Sequence, residues 1–104
     1  LGLPFPVTGH TPPDKSIGMP YMLTLAWNNG GGATSYDVYF GWADPPPFVA
    51  TTTATHYDVG PLEPGRRYYW RVDPRNEVGS LPGPVMSFRT YSPVAWTRDW
   101  SLYE

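Results

Sequence analysis

The sequence predicts an all-β domain built as a two-sheet sandwich, and three observations carry this prediction. Apolar and polar residues alternate at period two in several short runs, as in half-buried strands. Fourteen prolines and eleven glycines separate these runs and therefore mark turns. No window has the periodicity of an amphipathic helix without an interrupting Pro or Gly.

Three segments alternate strongly enough to predict central strands: 22–27, 35–40 and 66–73. Their predicted inward residues are Leu23, Leu25, Trp27, Tyr36, Val38, Phe40, Tyr68, Trp70 and Val72. Pro74 has no N–H, so we expect it to end regular pairing or to mark a bulge.

Shorter segments complete the predicted sandwich. Residues 48–53 are β-branched and predict an edge strand, and residues 56–59 predict another short strand closed by Gly60 and Pro61. Residues 85–90 predict a last strand with Phe88 in the core. Glycine-rich residues 28–32 are expected to form a turn. Seven strands at this spacing are typical of a sandwich.

Composition limits the function classes. A chain of 104 residues predicts one domain. Its net charge of −2 argues against a nucleic-acid surface. Six of its seven cations are arginines, four of them within 66–75, which favours a solvated strand face over an anion site. The absence of Cys excludes disulfides and thiol chemistry. No apolar run approaches the roughly 20 residues of a membrane span.

Several motifs together indicate a known family. A turn with the pattern L-x-P-G at residues 62–65 leads into the aromatic run Tyr68-Tyr69-Trp70-Arg71-Val72, and Trp27 lies on an earlier strand. In this order they resemble the fibronectin type III domain over residues 12–90, an immunoglobulin-like sandwich of seven strands. Residues 36–41 and 83–88 are similar to its bacterial branch. The resemblance implies a non-catalytic spacer or binding unit, with Tyr68 bonding the backbone of the preceding corner.

The chain is therefore divided into an N-terminal extended segment (1–10), a sandwich (11–90) and a C-terminal extension strand (91–104). Both ends carry apolar residues at period two. The predicted one-face sets are Leu1, Leu3, Phe5 and Val7 at the start and Val94, Trp96, Trp100 and Leu102 at the end. An apolar strand face exposed to water is unfavourable, so we expect these faces to be buried against another surface. Three alternatives remain: the ends fold over their own sandwich, they add to the sheet of a neighbouring copy, or they belong to adjoining domains.

The sequence suggests no catalytic, cofactor or metal site. His10 and His56 are expected to be surface or turn histidines. Tyr39 and Tyr69 should point outward on adjacent strands with Trp42 nearby. These three rings are candidates for glycan contact, and the alternative is that they pack beneath a terminal strand.

The function predicted from the sequence is a non-catalytic structural module, extracellular or on the cell surface. It self-associates head to tail through its terminal strands, for example as the subunit of a surface filament. One alternative, implied by the bacterial resemblance, is an accessory or spacer module of a secreted enzyme acting on polysaccharide. Another is an isolated sugar-binding module.

Overall fold

The computed structural model describes residues 2–92, which form two packed β-sheets. The strands are β1 (Thr8–Thr11), β2 (Ser16–Met19), β3 (Leu23–Asn28), β4 (Ser35–Gly41), β5 (Phe48–Thr52), β6 (His56–Val59), β7 (Arg67–Arg75) and β8 (Met86–Thr90). One sheet has the order β1-β3-β6, and the other has the order β2-β8-β7-β4-β5. This arrangement confirms the predicted all-β sandwich. No helix among residues 2–92 could cross a membrane.

The core lies between the inward faces of β3, β4 and β7. Trp27 comes from the three-stranded sheet and is 3% exposed, while Trp70 comes from the five-stranded sheet and is fully buried. The Trp27 ring meets the Tyr36 ring edge to face, with 5.5 Å between their centroids. The period-two alternation of the sequence correctly predicted that these residues point into the core, because one face of each strand must be buried.

The start of the sandwich shows a change of sheets that the sequence did not predict. Seven strands, β2 to β8, lie within residues 11–90 as expected, and β1 begins in the N-terminal segment. β1 pairs antiparallel with β3, and β2 pairs parallel with β8. Pro12, at the crossing, is fully buried. β1 has no apolar alternation, and the alternation of β2 is limited to Ile17 and Met19, so neither strand was predicted.

The prediction for Pro74 was wrong, since β7 continues to Arg75 and Pro74 pairs with Tyr36 in the register of β4. The carbonyl of Pro74 accepts a hydrogen bond from Leu81 N–H, on the edge away from β4. A residue's N–H and C=O point to the same neighbour in an antiparallel ladder. The missing N–H therefore faces the side where β8 has already stopped pairing, and the ladder to β4 loses nothing.

The described chain starts and stops at opposite ends of the sandwich. Residues 2–6 lie against the turn at 29–34, at what we term the N-terminal pole. Tyr91 and Ser92 lie against the corner at 60–66, at the C-terminal pole. β7 runs from one pole to the other over nine residues, or roughly 30 Å at ~3.3 Å per residue.

Candidate binding face

The outer face of the five-stranded sheet carries the predicted aromatic residues. The β4–β7 register sets Tyr39 opposite Arg71 and Gly41 opposite Tyr69. Since residues directly opposite share a face, Tyr39 and Tyr69 both point away from the core on adjacent strands. Each is partly exposed.

Tyr39 is already enclosed by neighbours on this face. The Arg71 guanidinium carbon lies 4.1 Å from the centre of the Tyr39 ring, a cation–π contact. Phe48 on the edge strand β5 meets the same ring edge to face at 5.6 Å. One ring face and one edge of Tyr39 are therefore occupied by protein.

Two buried carboxylates lie side by side on the same face. Asp37 and Asp73 are directly opposite in the β4–β7 ladder, and they are 5% and 3% exposed. Opposed like charges destabilise a sheet, so each carboxylate needs its own cation. The prediction that arginines of this strand form a solvated face missed these pairs.

Arg71 and Arg75 supply those cations. Arg71 donates from Nε and Nη2 to the two oxygens of Asp73, at 2.9 Å each, and Gly83 N–H adds a bond of 2.8 Å. Arg75 Nη2 donates to Asp37 Oδ2 at 2.6 Å, and Thr51 donates to Asp37 Oδ1 at 2.8 Å.

The environment of Asp37 combines opposing effects on its pKa. Burial alone would raise the pKa, but the hydrogen bonds from Arg75 and Thr51 and the charge of Arg75 together lower it below its usual value. The carboxylate is thus held ionised within the sheet face, where it acts as a structural group.

Trp42 lies beyond the end of β4, at the C-terminal pole. It is 58% exposed, and the Arg66 guanidinium carbon lies 3.9 Å from the ring centre. Trp42 separates two shallow grooves. One, of about 350 Å³, is lined by Trp42, Pro64, Gly65, Arg66, Arg67 and Tyr69. The other, of about 400 Å³, contains Trp42 with the apolar residues Phe40, Val49, Leu62 and Tyr68 and the carboxylate residues Asp58 and Glu63.

The three candidate glycan residues therefore do not form one platform. Trp42 and Tyr69 share a groove, whereas Tyr39 packs with Phe48 and Arg71. Sequence reasoning missed the arginines around Trp42 as site residues. The only available signal was their outward position next to the corner at 62–65.

At the opposite pole, the N-terminal segment lies against its own domain. Phe5 N–H donates to Gly31 C=O at 2.9 Å, and Asn76 Nδ2 donates to Gly2 C=O at 2.9 Å. Gly30 permits this contact, because a Cβ there would overlap the Pro6 carbonyl oxygen. Residues 2–7 belong to neither sheet.

Burial divides the predicted common apolar face of this segment among its described residues. Val7 is buried and belongs to the core, but Leu3 and Phe5 are 48% and 68% exposed. Pro4 is buried instead. The segment is held through single backbone contacts and not through a ladder, so the strict two-residue alternation of a paired strand does not apply.

The remaining interface residues lie outside the described part of the chain. These are Leu1, Val94, Trp96, Trp100 and Leu102. Contact between copies through the terminal segments stays a prediction.

His10 is not the surface or turn histidine that was expected. It lies on β1, its ring meets Trp70 edge to face at 5.5 Å, and its Nε2 atom is buried without a hydrogen-bond partner. Burial lowers the pKa of His10, and the nearby charge of Asp14 offsets part of this effect. His56, by contrast, is exposed on β6. Among residues 2–92, no group of three or more His, Asp or Glu side chains could hold a metal ion.

Comparison with known proteins identifies the fold. No family model matches the sequence, and a comparison with curated proteins found no similar sequence. Among solved structures, FN3tt is 25% identical with a TM-score of 0.65, covering 88% of this chain and 97% of that one. An Fn3-like protein from Clostridium thermocellum is 23% identical with a TM-score of 0.67, over 86% of this chain and 95% of the other.

A third similar structure is a larger enzyme. The beta-1,2-glucanase from Parabacteroides distasonis is 19% identical with a TM-score of 0.58, and the match covers 86% of this chain but 14% of the glucanase. These similarities confirm the fibronectin type III fold.

Proposed function

From the fibronectin type III fold of this chain, we propose that it is a non-catalytic spacer module that works outside the cell. Its task is to hold the partners joined at its two poles apart along the strand direction. The observation that carries this proposal is the placement of residues 2–6 and residues 91–92 at opposite poles, separated by the length of β7.

The packing of the poles supports a stiff connection. At the N-terminal pole, Asn76 Nδ2 bonds both Gly2 C=O and Gly32 C=O, at 2.9 and 3.1 Å. At the C-terminal pole, Gly65 N–H donates to Tyr91 C=O at 2.9 Å, and Tyr21 donates its hydroxyl to the same carbonyl at 3.0 Å. A pull on either end is therefore transmitted into the sandwich through several bonds.

A secreted enzyme acting on polysaccharide is one setting for such a spacer. The support is the match to a short part of a beta-1,2-glucanase, together with the sequence resemblance to bacterial modules. In this setting the module separates a catalytic domain from its neighbour and takes no part in the reaction.

Single-molecule energy transfer tests the spacer proposal. The chain is placed between a donor and an acceptor fluorescent protein and compared with a Gly/Ser linker of equal residue number. We expect a narrow transfer distribution that persists in urea up to the unfolding transition. A distribution as broad as that of the flexible linker at zero urea would remove the proposal.

Self-association through the terminal segments is the second candidate, and one observation favours it. Leu3, Phe5 and Val78 are all exposed large apolar residues at the N-terminal pole, with exposures of 48%, 68% and 50%. A head-to-tail contact at this pole would cover them and extend the spacer into a filament.

Light scattering and negative-stain microscopy over a concentration series test this second candidate. We expect association that weakens in the double variant Leu3→Ser/Phe5→Ser, with Val49→Ser on the edge strand as the matched control. A compact monomer at every concentration contradicts self-association and leaves the spacer proposal intact.

A further inference from the structure

The arginines of residues 2–92 divide into two groups with different roles. Arg71 and Arg75 are neutralised by the buried carboxylates of Asp73 and Asp37. The other three, Arg66, Arg67 and Arg89, make no ion pair within these residues, and all three are exposed. The chain is negative overall, with a net charge of −2. These three arginines therefore form a locally positive patch on a chain whose net charge is negative.

The sheet register brings two of these cations together. Arg67 on β7 and Arg89 on β8 are directly opposite, so both side chains leave the outer face within a few ångströms of each other. Like charges in this position disfavour folding unless an anion lies between them. The adjacent opposed pair on the same face is Tyr69 and Ser87, which carries no charge.

An aromatic groove adjoins the arginines. Arg67 and Tyr69 line it together with Trp42, whose ring is 58% exposed. Arg66 covers one part of the Trp42 ring at 3.9 Å, which holds that guanidinium at the groove. The carboxylates Asp37 and Asp73 of this face are paired with Arg75 and Arg71, and Asp14 Oδ1 accepts the Ser87 N–H at 2.8 Å.

We propose that Arg66, Arg67 and Arg89, with Trp42 and Tyr69, form a binding site for an anionic polysaccharide. The guanidinium groups bind the carboxylate or sulfate oxygens of successive sugar residues, often with two N–H donors each. The C–H face of a sugar ring packs on Trp42 or Tyr69, where the electron-rich ring face meets weakly positive hydrogens.

Two other polyanions fit these observations less well. An acidic peptide supplies carboxylates but no flat C–H face for the exposed Trp42 ring. A nucleic acid is disfavoured because the negative chain repels a dense phosphate backbone outside this small patch. The site lies at the C-terminal pole, but none of its five side chains makes the contacts that hold residues 91–92, so it does not depend on the spacer role.

Biolayer interferometry with the immobilised full chain tests the proposal. The probes are polygalacturonate for carboxylate, dextran sulfate for sulfate, and unmodified dextran as the neutral polymer. Poly-glutamate and poly-dT represent the acidic peptide and the nucleic acid. The test variant is Arg67→Gln/Arg89→Gln, and Trp42→Ala tests the stacking contribution separately.

The matched control is Thr53→Glu/Thr55→Glu. Both of its positions are exposed and away from the C-terminal pole, and it lowers the net charge by the same two units as the arginine variant. The arginine variant should fold at least as well as the original chain, because it relieves an opposed like-charge pair. Thermal unfolding of each variant verifies this.

The expected result is binding to polygalacturonate or dextran sulfate but not to dextran, and the more strongly bound of the two identifies the anion. Affinity should fall about tenfold or more in Arg67→Gln/Arg89→Gln, fall in Trp42→Ala, and change little in the charge control. The proposal is overturned if neither acidic polysaccharide binds, if poly-glutamate or poly-dT binds more tightly, or if the charge control loses as much affinity as the arginine variant.

Discussion

The hydroxyl oxygen of Tyr68 accepts a hydrogen bond of 2.8 Å from the backbone N–H of Glu63. This bond joins the inward face of β7 to the corner that precedes it, as the resemblance to fibronectin type III domains implied. The Tyr68 ring is 4% exposed and stacks with Phe40 at a centroid distance of 5.2 Å. The corner is therefore fixed by one polar contact and one aromatic cluster.

Removing this hydroxyl should destabilise the fold without disturbing the ring packing. Tyr68→Phe leaves the Glu63 N–H without its partner, and we expect a loss of about 1 kcal/mol in the free energy of unfolding. Urea denaturation measures it. The control is Tyr57→Phe, whose hydroxyl makes no hydrogen bond within residues 2–92. Equal losses in the two variants would contradict a specific role for the corner bond.

Gly30 should be required for the N-terminal segment to lie against the sandwich. A Cβ at this position overlaps the Pro6 carbonyl oxygen, so Gly30→Ala must displace either the segment or the turn. We expect a loss of about 1 to 3 kcal/mol and faster hydrogen exchange of the Phe5 amide, which donates to Gly31 C=O. Gly2→Ala is the control, because a Cβ there meets no atom within 4 Å. Unchanged exchange at Phe5 in Gly30→Ala would show that the contact is incidental.

The ion pair between Arg75 and Asp37 should set part of the acid stability. The pKa of Asp37 is lowered in the fold, so its stabilising contribution is present above the unfolded value of 3.8 and is lost as the pH falls through the folded pKa. In Arg75→Gln, the charge and hydrogen bonds of Arg75 no longer outweigh the burial of the Asp37 carboxyl, so the pKa of Asp37 should rise. Stability should then fall as the pH rises from 3.8 toward the new value.

An NMR titration of the Asp37 carboxyl carbon, with urea unfolding at each pH, follows this reversal. The control is Arg89→Gln, which removes an arginine that makes no ion pair within residues 2–92. If the Asp37 titration is the same in Arg75→Gln and in the original chain, the ion pair does not control its pKa.

His10 should produce a second pH effect in a different range. Its pKa is lowered from 6.5 by burial, so the neutral form is favoured in the fold. Protonation costs more in the folded than in the unfolded chain, and stability should decrease as the pH falls through 6.5 toward the folded pKa. His10→Gln should reduce the change of the unfolding midpoint with pH between about pH 7 and pH 5, whereas His56→Gln should leave that pH dependence in place. If the pH dependence of the midpoint disappears in His56→Gln and not in His10→Gln, the prediction for His10 is wrong.

The central strands were predictable because their burial pattern is local. In β4 and β7, period two alone identifies the inward residues Tyr36, Val38, Trp70 and Val72, all of which are buried. The Tyr68 corner was predictable from the resemblance to fibronectin type III domains, because the turn at 62–65 and Tyr68 match the pattern of that family within a few consecutive residues.

Features that depend on register between strands were not predictable. The opposition of Asp37 to Asp73, and of Arg67 to Arg89, is fixed by which residues pair across the sheet. No single strand shows it. The difference in burial between Val7 and Phe5 was not predictable either, because alternation assumes a paired strand and residues 2–7 are held by separate contacts.

Measuring the distance between the two poles tests the spacer proposal most directly. The chain contains no Cys, so spin labels can be attached at Gly2→Cys and Tyr91→Cys without competing sites. Electron–electron double resonance should give one narrow distance of roughly 30 Å, the length of β7 at ~3.3 Å per residue. A separation much shorter than β7, or a spread typical of a flexible chain, would contradict a spacer that holds its two ends apart.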